Sequence, residues 1–301
     1  MGIGLAALGW IIWRFVQSGA LGLLGKVPAG PWIIGGSVAA AACAYAGALC
    51  VLAYAWWRLL AGLSASVPAP AATMATWAAS QYGRYIPGNV AHLALRHAWS
   101  RRHAIPHTVL GMAALIEACL LLFVGLVIAL VGAGETGPFG ADARALLALL
   151  VAGLLAGLGG LHVLRRRGGV RKWVPPPTPP GMLAVAIACY VAFFAITATV
   201  LYGLAALLGA SISWADLLVA GTASWAAGFV VIGAPAGIGV REAAFVALTG
   251  GMIGEERALL LIALYRVVTF LGDTLLFAAA ALALRRLSRS SGTAGLGADD
   301  G

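Results

Sequence analysis

Charged side chains are scarce in this chain of 301 residues, where Asp, Glu, Lys and Arg together make up 10% of the sequence. A soluble domain carries about 25% of such residues. Hydrophobic residues make up 62%, and the mean hydropathy is +0.97. These values exclude a soluble globular protein and predict an integral membrane protein.

Acidic residues are fewer than basic residues. Ten Asp and Glu stand against 19 Lys and Arg, which gives a net charge of +9. In a soluble protein this balance would suggest binding to nucleic acid. Here the cations lie in short loops between apolar runs, where cations orient membrane proteins and contact anionic lipid. We therefore predict no nucleic-acid partner.

Cysteine is also rare, and no set of residues indicates a metal or cofactor. The cysteines lie inside apolar runs without any CxxC pair, so neither a disulfide framework nor a zinc site is predicted. The glycine-containing stretches lack the lysine of a phosphate loop and the third glycine of a dinucleotide fingerprint. No Ser/His/Asp or Cys/His set is recognisable, so an enzymatic activity is not predicted but stays open. The four cysteines are Cys43, Cys50, Cys119 and Cys189.

Long apolar runs are abundant, and they predict the membrane spans. A spanning helix needs about 20 predominantly apolar residues. Five runs meet this requirement, and a sixth at the start of the chain is interrupted by Arg14 and Gln17. The predicted spans are Ile3 to Leu24, Trp32 to Trp57, Thr108 to Val131, Arg144 to Leu164, Met182 to Leu208 and Ala258 to Leu284.

The distribution of cations predicts the orientation of these spans. The densest basic loop, residues 165–172, is placed in the cytoplasm by the positive-inside rule, and counting from it places both termini there as well. A proline-rich spacer, residues 174–181, divides the membrane domain 1–285 into the halves 1–173 and 182–285. Residues 286–301 are predicted to form a disordered cytoplasmic tail.

Each half contains one apolar segment that proline and glycine interrupt. In the first half RYIPGN separates residues 71–80 from 90–99, and in the second GAPAGIGVRE separates 217–232 from 243–253. Within a membrane such breaks are tolerated only where they line a cavity or are buried in protein. The orientation predicted from the cations places the flanks of the first hairpin in the cytoplasm and those of the second outside, so the two hairpins enter the membrane from opposite sides. We therefore predict an all-α, polytopic transmembrane helix bundle with two broken, re-entrant hairpins in an inverted-repeat arrangement. The alternative is two amphipathic surface helices with ordinary turns.

Charged residues in or beside these membrane segments are candidates for function, because such charges are costly and are usually paired or functional. Arginines near helix breaks are suited to an anionic head group, since a guanidinium binds phosphate with two parallel hydrogen bonds. The alternative is that Arg84 with Glu117, and Arg266 with Asp273, are structural ion pairs. The candidates are Arg84, Glu117, Arg241, Glu242, Arg266 and Asp273.

Four parts of the sequence, taken in order, resemble the membrane domain of lysylphosphatidylglycerol synthases. They are RYIPGN at residues 84–89, Glu117 in the next span, APAGIGVRE at 234–242 and ALYRVVTF at 263–270. The resemblance implies a lipid flippase whose head-group contacts are Arg84, Pro87, Gly88, Asn89, Glu117, Gly237, Gly239, Glu242 and Arg266. The two motifs and the intramembrane charges add Tyr85, Pro235, Arg241 and Asp273 to the candidate head-group site.

The cytosolic aminoacyl-transferase domain of the complete synthases is not found in this sequence. We therefore expect a flippase-like translocator of a charged lipid head group, either aminoacylated or glycosylated and polyprenyl-linked. The expected partners are a membrane phospholipid or lipid-linked glycan and a separate lipid-modifying enzyme. The alternatives are a membrane enzyme or its accessory subunit, with Glu117 or Glu242 as its carboxylate, and a non-transporting scaffold. The expected location is the inner membrane of a bacterial or archaeal cell.

Overall fold

The computed structural model describes residues 30–64, 66–85, 91–133, 179–231 and 237–296, together with the single positions 153, 160 and 163. The described part is helical and contains no strand, which confirms the all-α prediction. The predicted spans 3–24 and 144–164 and most of the proline-rich spacer lie outside the described residues. The helices are α1 (Pro31–Leu63), α2 (Pro70–Ser80), α3 (Ala91–Arg102), α4 (His107–Ala133), α5 (Pro180–Leu207), α6 (Trp214–Val230), α7 (Val240–Ile253) and α8 (Glu255–Leu296), and a 3-10 turn (Gln81–Tyr85) follows α2.

Four of these helices are long and apolar enough to cross a membrane, and each corresponds to a predicted span. Both α1 and α5 begin with proline at their first helical position, where the missing N–H would have no partner within the helix. The chain is therefore a polytopic helix bundle, as predicted. The four candidate spans are Pro31–Leu63, His107–Gly132, Pro180–Leu207 and Glu255–Ser288.

Each half of the described chain has the order span, broken hairpin, span. The first half consists of α1, the hairpin of α2 and α3, and α4, and the second of α5, the hairpin of α6 and α7, and α8. The end of α1 meets the start of α5, because a Cβ placed on Gly62 would contact Met182. The end of α4 meets the start of α6 in the same way, through Gly132 and Val219. The two hairpins therefore start from opposite ends of the bundle.

Both hairpins reach the middle of α8. The hydroxyl of Tyr82, just before the first break, lies 2.9 Å from that of Thr274, and its ring is 5.0 Å from the ring of Phe277. Just after the second break, Glu242 forms an ion pair with Arg266. Arg266 and Thr274 are eight residues apart, which is about 12 Å along a helix. The residues that flank the two breaks therefore contact α8 at neighbouring levels.

Two predicted boundaries differ from the structure. The second arm of the second hairpin was predicted to begin at residue 243, but α7 begins at Val240, so Arg241 and Glu242 lie in its first turn. The N–H of Gly239, which precedes α7, donates to Glu242 Oε2 at 2.6 Å, and this bond caps the helix earlier than the glycines suggested. The disordered tail was predicted from residue 286, but α8 continues to Leu296. Its arginines are good helix formers and extend the last span.

Close packing of α1 against α8 depends on Gly272. A Cβ at this position would lie 2.7 Å from Tyr45 Cδ1 and 2.9 Å from the backbone oxygen of Ala42. A backbone oxygen cannot move aside as a side chain can, so the two helices would have to separate. Gly203 on α5 provides a contrast, because a Cβ there would meet nothing within 4 Å.

We expect Gly272→Ala to lower the free energy of unfolding by about 1–3 kcal/mol, the usual cost of overpacking. Gly203→Ala is the matched control, and it should be neutral or stabilising because alanine favours the helix by up to about 1 kcal/mol. Equilibrium denaturation in mixed micelles measures both changes. Equal stability of the two variants would contradict the close packing described above.

Candidate functional site

A cavity of about 630 Å³ joins the two hairpins in the interior of the bundle. Gln81 and His92, which flank the first break, line it together with Gly237 and Arg241, which follow the second. One face of α4 forms a wall from His107 to Leu121, a distance of about 21 Å along the helix. The cavity therefore extends from the end of the bundle where α4 begins to the level of the breaks.

An ion pair fixes the first hairpin to this wall. Glu117, ten residues into α4, accepts hydrogen bonds from Arg96 Nη1 at 2.7 Å and from Trp77 Nε1 at 2.8 Å. Arg96 lies on α3 and Trp77 on α2, so one carboxylate holds both arms of the hairpin. Glu117 lines the cavity and its side chain is 14% exposed, whereas that of Arg96 is 4% exposed.

Arg96 is held on all sides. Its guanidinium lies over the rings of Trp56 and Trp77, at 5.1 and 5.3 Å from their centroids. Its Nε also donates to Ser80 Oγ at 3.1 Å. Cation–π contacts are strongest where the cation is removed from water. The guanidinium is thus a fixed counter-charge for Glu117, and Arg96 also lines the large cavity.

A second ion pair fixes the second hairpin to α8. Arg266 Nε donates to Glu242 Oε1, and Arg266 Nη2 lies 3.5 Å from the backbone oxygen of Gly237. The other carboxylate oxygen of Glu242 accepts from the N–H of Gly239. Gly237 and Gly239 have φ values of +69° and +86°, a conformation that favours glycine. Arg266 and Glu242 together hold the backbone that follows the break.

The two ion pairs occupy corresponding places with their charges exchanged. In each half, the second arm of the hairpin pairs with the span that follows it. The span α4 carries the acid and α3 the arginine, whereas α8 carries the arginine and α7 the acid. Each acid and each arginine in the membrane is costly alone, and pairing removes most of that cost.

Arg241 enters the cavity through a narrow slot between two glycines. A Cβ on Gly228 would lie 2.7 Å from Arg241 Nε, and one on Gly237 would lie 2.6 Å from the same atom. The guanidinium lies over the ring of Trp225 at 5.8 Å. A guanidinium that is held in this way at a cavity wall can bind an oxyanion with two parallel hydrogen bonds.

A smaller cavity of about 60 Å³ lies on the other side of Arg241. It shares four lining residues with the large cavity and also contains Arg266 and Asp273. Asp273 is 2% exposed. The shared residues are Tyr45, Phe193, Trp225 and Arg241.

Three histidines line the large cavity towards the start of α4. They are His92 and His97 on α3 and His107 on α4, and the rings of the last two stack at 4.2 Å. His97 and His107 are exposed. This end of the cavity is therefore rich in groups that can donate hydrogen bonds to an anion.

The structure brings several predicted site residues together and leaves others outside the described part. Glu117, Gly237 and Arg241 line the large cavity, and Arg266 and Asp273 line the small one. Gly239 and Glu242 are hydrogen bonded to each other at the start of α7. The backbone of Arg84 and Tyr85 lies in the 3-10 turn, but their side chains are not described. Pro87, Gly88, Asn89 and Pro235 lie outside the described residues.

Sequence reasoning missed four residues of the site. Arg96 was not among the predicted site residues, but it forms an ion pair with Glu117. Arg266, for which a pair with Asp273 was considered, forms an ion pair with Glu242. Trp77, Trp225 and Gly228 carried no signal beyond their position in apolar arms. Only the crossing of the helices reveals their contacts.

Residues 1–276 of the sequence match a known family, which is described as the lysylphosphatidylglycerol synthase TM region. The chain belongs to this family. The match covers both hairpins and all four spans except the last residues of α8. Comparison with curated proteins gives no match. Membership of the lysylphosphatidylglycerol synthase TM family, together with the apolar helices, establishes an integral membrane protein.

We expect Arg96→Met and Glu117→Gln each to lower the free energy of unfolding by about 3–5 kcal/mol, because each leaves the other charge buried without its partner. The double variant removes both charges and should lose less than the sum, by about 1–3 kcal/mol. Denaturation in mixed micelles measures all three. Additive effects would mean that the pair contributes nothing of its own.

We expect Gly228→Ala to displace the Arg241 side chain, because the new methyl group would occupy the space of its Cγ. The displaced guanidinium should react faster with phenylglyoxal, and mass spectrometry of residue 241 measures that rate. Gly203→Ala is again the control and should leave the rate unchanged. If both variants react at the wild-type rate, the glycine slot does not position Arg241.

Proposed function

We propose that this protein moves a charged lipid head group between the two leaflets of the membrane. The head group would occupy the large cavity, with its phosphate on Arg241, while the acyl chains stay in the bilayer. The cargo is a phospholipid or a polyprenyl-linked lipid, either aminoacylated or glycosylated. We propose that the end at which α4 begins faces the cytoplasm, since the cations Arg58 and Arg101 lie near it.

One observation carries this proposal. A single cavity of about 630 Å³ is lined by residues from both broken hairpins, which start from opposite ends of the bundle. In secondary transporters a site between broken helices of two repeats is reached alternately from the two sides. The volume falls in the range of about 300–1,000 Å³ that small-molecule sites occupy.

Each hairpin would move as one unit with the span to which it is paired. Each ion pair connects the second arm of a hairpin to the following span, so the unit of one half can shift against the unit of the other. The head group would then meet one end of the cavity or the other. Large apolar side chains at the cavity, Leu93, Leu115 and Phe229, are 40–57% exposed. They would contact the acyl chains during the transfer.

A catalytic role for either carboxylate is less well supported. Glu117 accepts hydrogen bonds from Arg96 and Trp77, and Glu242 from Arg266 and the Gly239 N–H. The oxygens of both carboxylates therefore already accept hydrogen bonds from donors of the protein, which leaves them poorly placed to exchange a proton with a substrate. The geometry suits a structural role for both acids and a ligand-binding role for Arg241.

We expect the purified protein in phosphatidylcholine vesicles to transfer labelled phosphatidylglycerol, lysylphosphatidylglycerol or a polyprenyl phosphate between leaflets. Arg241→Gln should slow the transfer about tenfold or more, because a hydrogen bond to a charged group contributes about 1.5–3 kcal/mol and 1.36 kcal/mol corresponds to a factor of ten. Quenching of the label in the outer leaflet measures the rate.

Arg257→Gln is the matched control, because Arg257 is exposed and lines neither cavity. Its transfer rate should equal that of the wild type. If none of the three labelled lipids changes leaflet faster than in vesicles without protein, the transport proposal is wrong. If Arg241→Gln and Arg257→Gln behave alike, the phosphate does not bind at Arg241.

A further inference from the structure

We propose that the large cavity selects a lipid whose phosphate is the only charged group of its head group, and that it rejects an aminoacylated lipid. The inference rests on the proposed function and names the class of cargo for the same cavity. Of the two kinds of cargo considered above it favours the glycosylated one, because a sugar adds hydroxyl groups but no charge. An aminoacyl ester adds ammonium groups, which need acids or aromatic rings as partners once they leave water.

Acids are scarce in the lining of this cavity. Among the residues that the structure describes, Glu117 is the one acid that lines it. The sequence between the described arms of the two hairpins, IPGNV at 86–90 and IGAPA at 232–236, adds no Asp or Glu. The other acids of the described part lie at helix ends, in the second ion pair or in the small cavity. They are Asp216, Glu242, Glu255, Glu256 and Asp273.

Glu117 is already neutralised by a fixed cation. One of its oxygens accepts from Trp77 Nε1 at 2.8 Å and the other from Arg96 Nη1 at 2.7 Å. Arg96 is itself held between the rings of Trp56 and Trp77. Its Nε also donates to Ser80 Oγ at 3.1 Å. An ammonium group that approached Glu117 would therefore lie beside the guanidinium of Arg96, and the two like charges would repel each other.

The charges that line the cavity sum to zero or to a positive value. Arg96 and Glu117 cancel each other, and Arg241 adds a second cation. A partner of Arg241 outside the lining would bring the sum to zero but not below it. The histidines that line the cavity are neutral or positively charged, so they cannot lower the sum. The described lining therefore holds no surplus negative charge for an ammonium group.

Both tryptophans that line the cavity are occupied as well. A tryptophan ring is the best aromatic partner for a cation. Trp77 already has the guanidinium of Arg96 over its ring at 5.3 Å. Trp225 has that of Arg241 at 5.8 Å, and the ring of Phe229 stacks on it at 5.1 Å. An incoming ammonium group would share either ring with a cation of the protein, which weakens the attraction.

Uncharged hydroxyl groups suit the same lining. A neutral imidazole has one N–H donor and one nitrogen acceptor, so it can bind a hydroxyl group in either direction. His97 and His107 are exposed, line the cavity and stack at 4.2 Å, which places two such rings side by side. A sugar or glycerol attached to the phosphate can use these partners. The cavity thus discriminates by leaving the wrong cargo with an unpaired charge.

The test compares three lipids with the same acyl chains and the same phosphate, using the full chain in phosphatidylcholine vesicles. They are phosphatidylglycerol, lysylphosphatidylglycerol and lysylphosphatidylglycerol with both amino groups acetylated, each labelled on one acyl chain. The acetylated lipid is as large as the lysyl lipid but has no ammonium group, so it separates charge from size. Quenching of the label in the outer leaflet measures the transfer rate at equal pH and without a membrane potential.

We expect phosphatidylglycerol and the acetylated lipid to be transferred at similar rates. Lysylphosphatidylglycerol should be transferred about tenfold or more slowly, because a charged group left without its partner loses at least that factor in stability.

Ala114→Glu should reverse this selectivity, because Ala114 lines the cavity on α4 and the variant supplies the missing acid. The rate of lysylphosphatidylglycerol relative to phosphatidylglycerol should rise about tenfold, for the same reason. Ala114→Gln is the matched control, since it has the same size without the charge, and it should keep the wild-type ratio. The ratio is measured within one preparation and does not depend on the amount of protein.

The outcomes separate this inference from the proposed function. If the wild type transfers lysylphosphatidylglycerol as fast as phosphatidylglycerol, the inference is wrong and the transport proposal stands. The same holds if the acetylated lipid is as slow as the lysyl lipid, because size then decides, or if the two variants of Ala114 give the same ratio. If neither these lipids nor the polyprenyl phosphate moves faster than in vesicles without protein, the transport proposal itself fails.

Discussion

Pairing of charge inside an apolar bundle is the constraint on which the rest of the structure depends. A lone ionised side chain within a membrane costs about 2.5 to 3.5 kcal/mol on insertion scales. The chain meets this cost with two arginine–glutamate pairs, and in each of them one partner lies on a span and the other on a broken hairpin. The pairs therefore fix the hairpins to the spans as well as neutralising the charges.

Both halves contain such a pair, but the positions of the acid and the arginine are reversed between them. The first half places the acid on its span, and the second half places the arginine there. Each hairpin also has a tryptophan on its first arm that lies beneath an arginine of its second arm: Trp77 under Arg96, and Trp225 under Arg241. Both halves thus stabilise an arginine with an aromatic ring from the same hairpin, although the residues of their ion pairs are exchanged. This suits a bundle whose two ends face different sides of a membrane.

The cavity follows from the same arrangement. The second arms α3 and α7 are held against α4 and α8, and the cavity between the hairpins is lined by Arg241, Glu117 and the histidines. Arg96, which is paired with Glu117, and Arg241 both line this cavity. The proposed transport depends on the position of Arg241 between a large cavity and a small one.

The sequence by itself determined the class of protein, the four spans in the described part of the chain and the two places where apolar segments are interrupted. Composition and the proline–glycine motifs suffice for this because spanning length and backbone hydrogen bonding are local properties. The tertiary structure decided which charges pair, since Arg96 with Glu117 and Arg266 with Glu242 depend on how separate helices cross. It also decided that Arg241 lies between Gly228 and Gly237, because such a close approach depends on packing that no local pattern encodes.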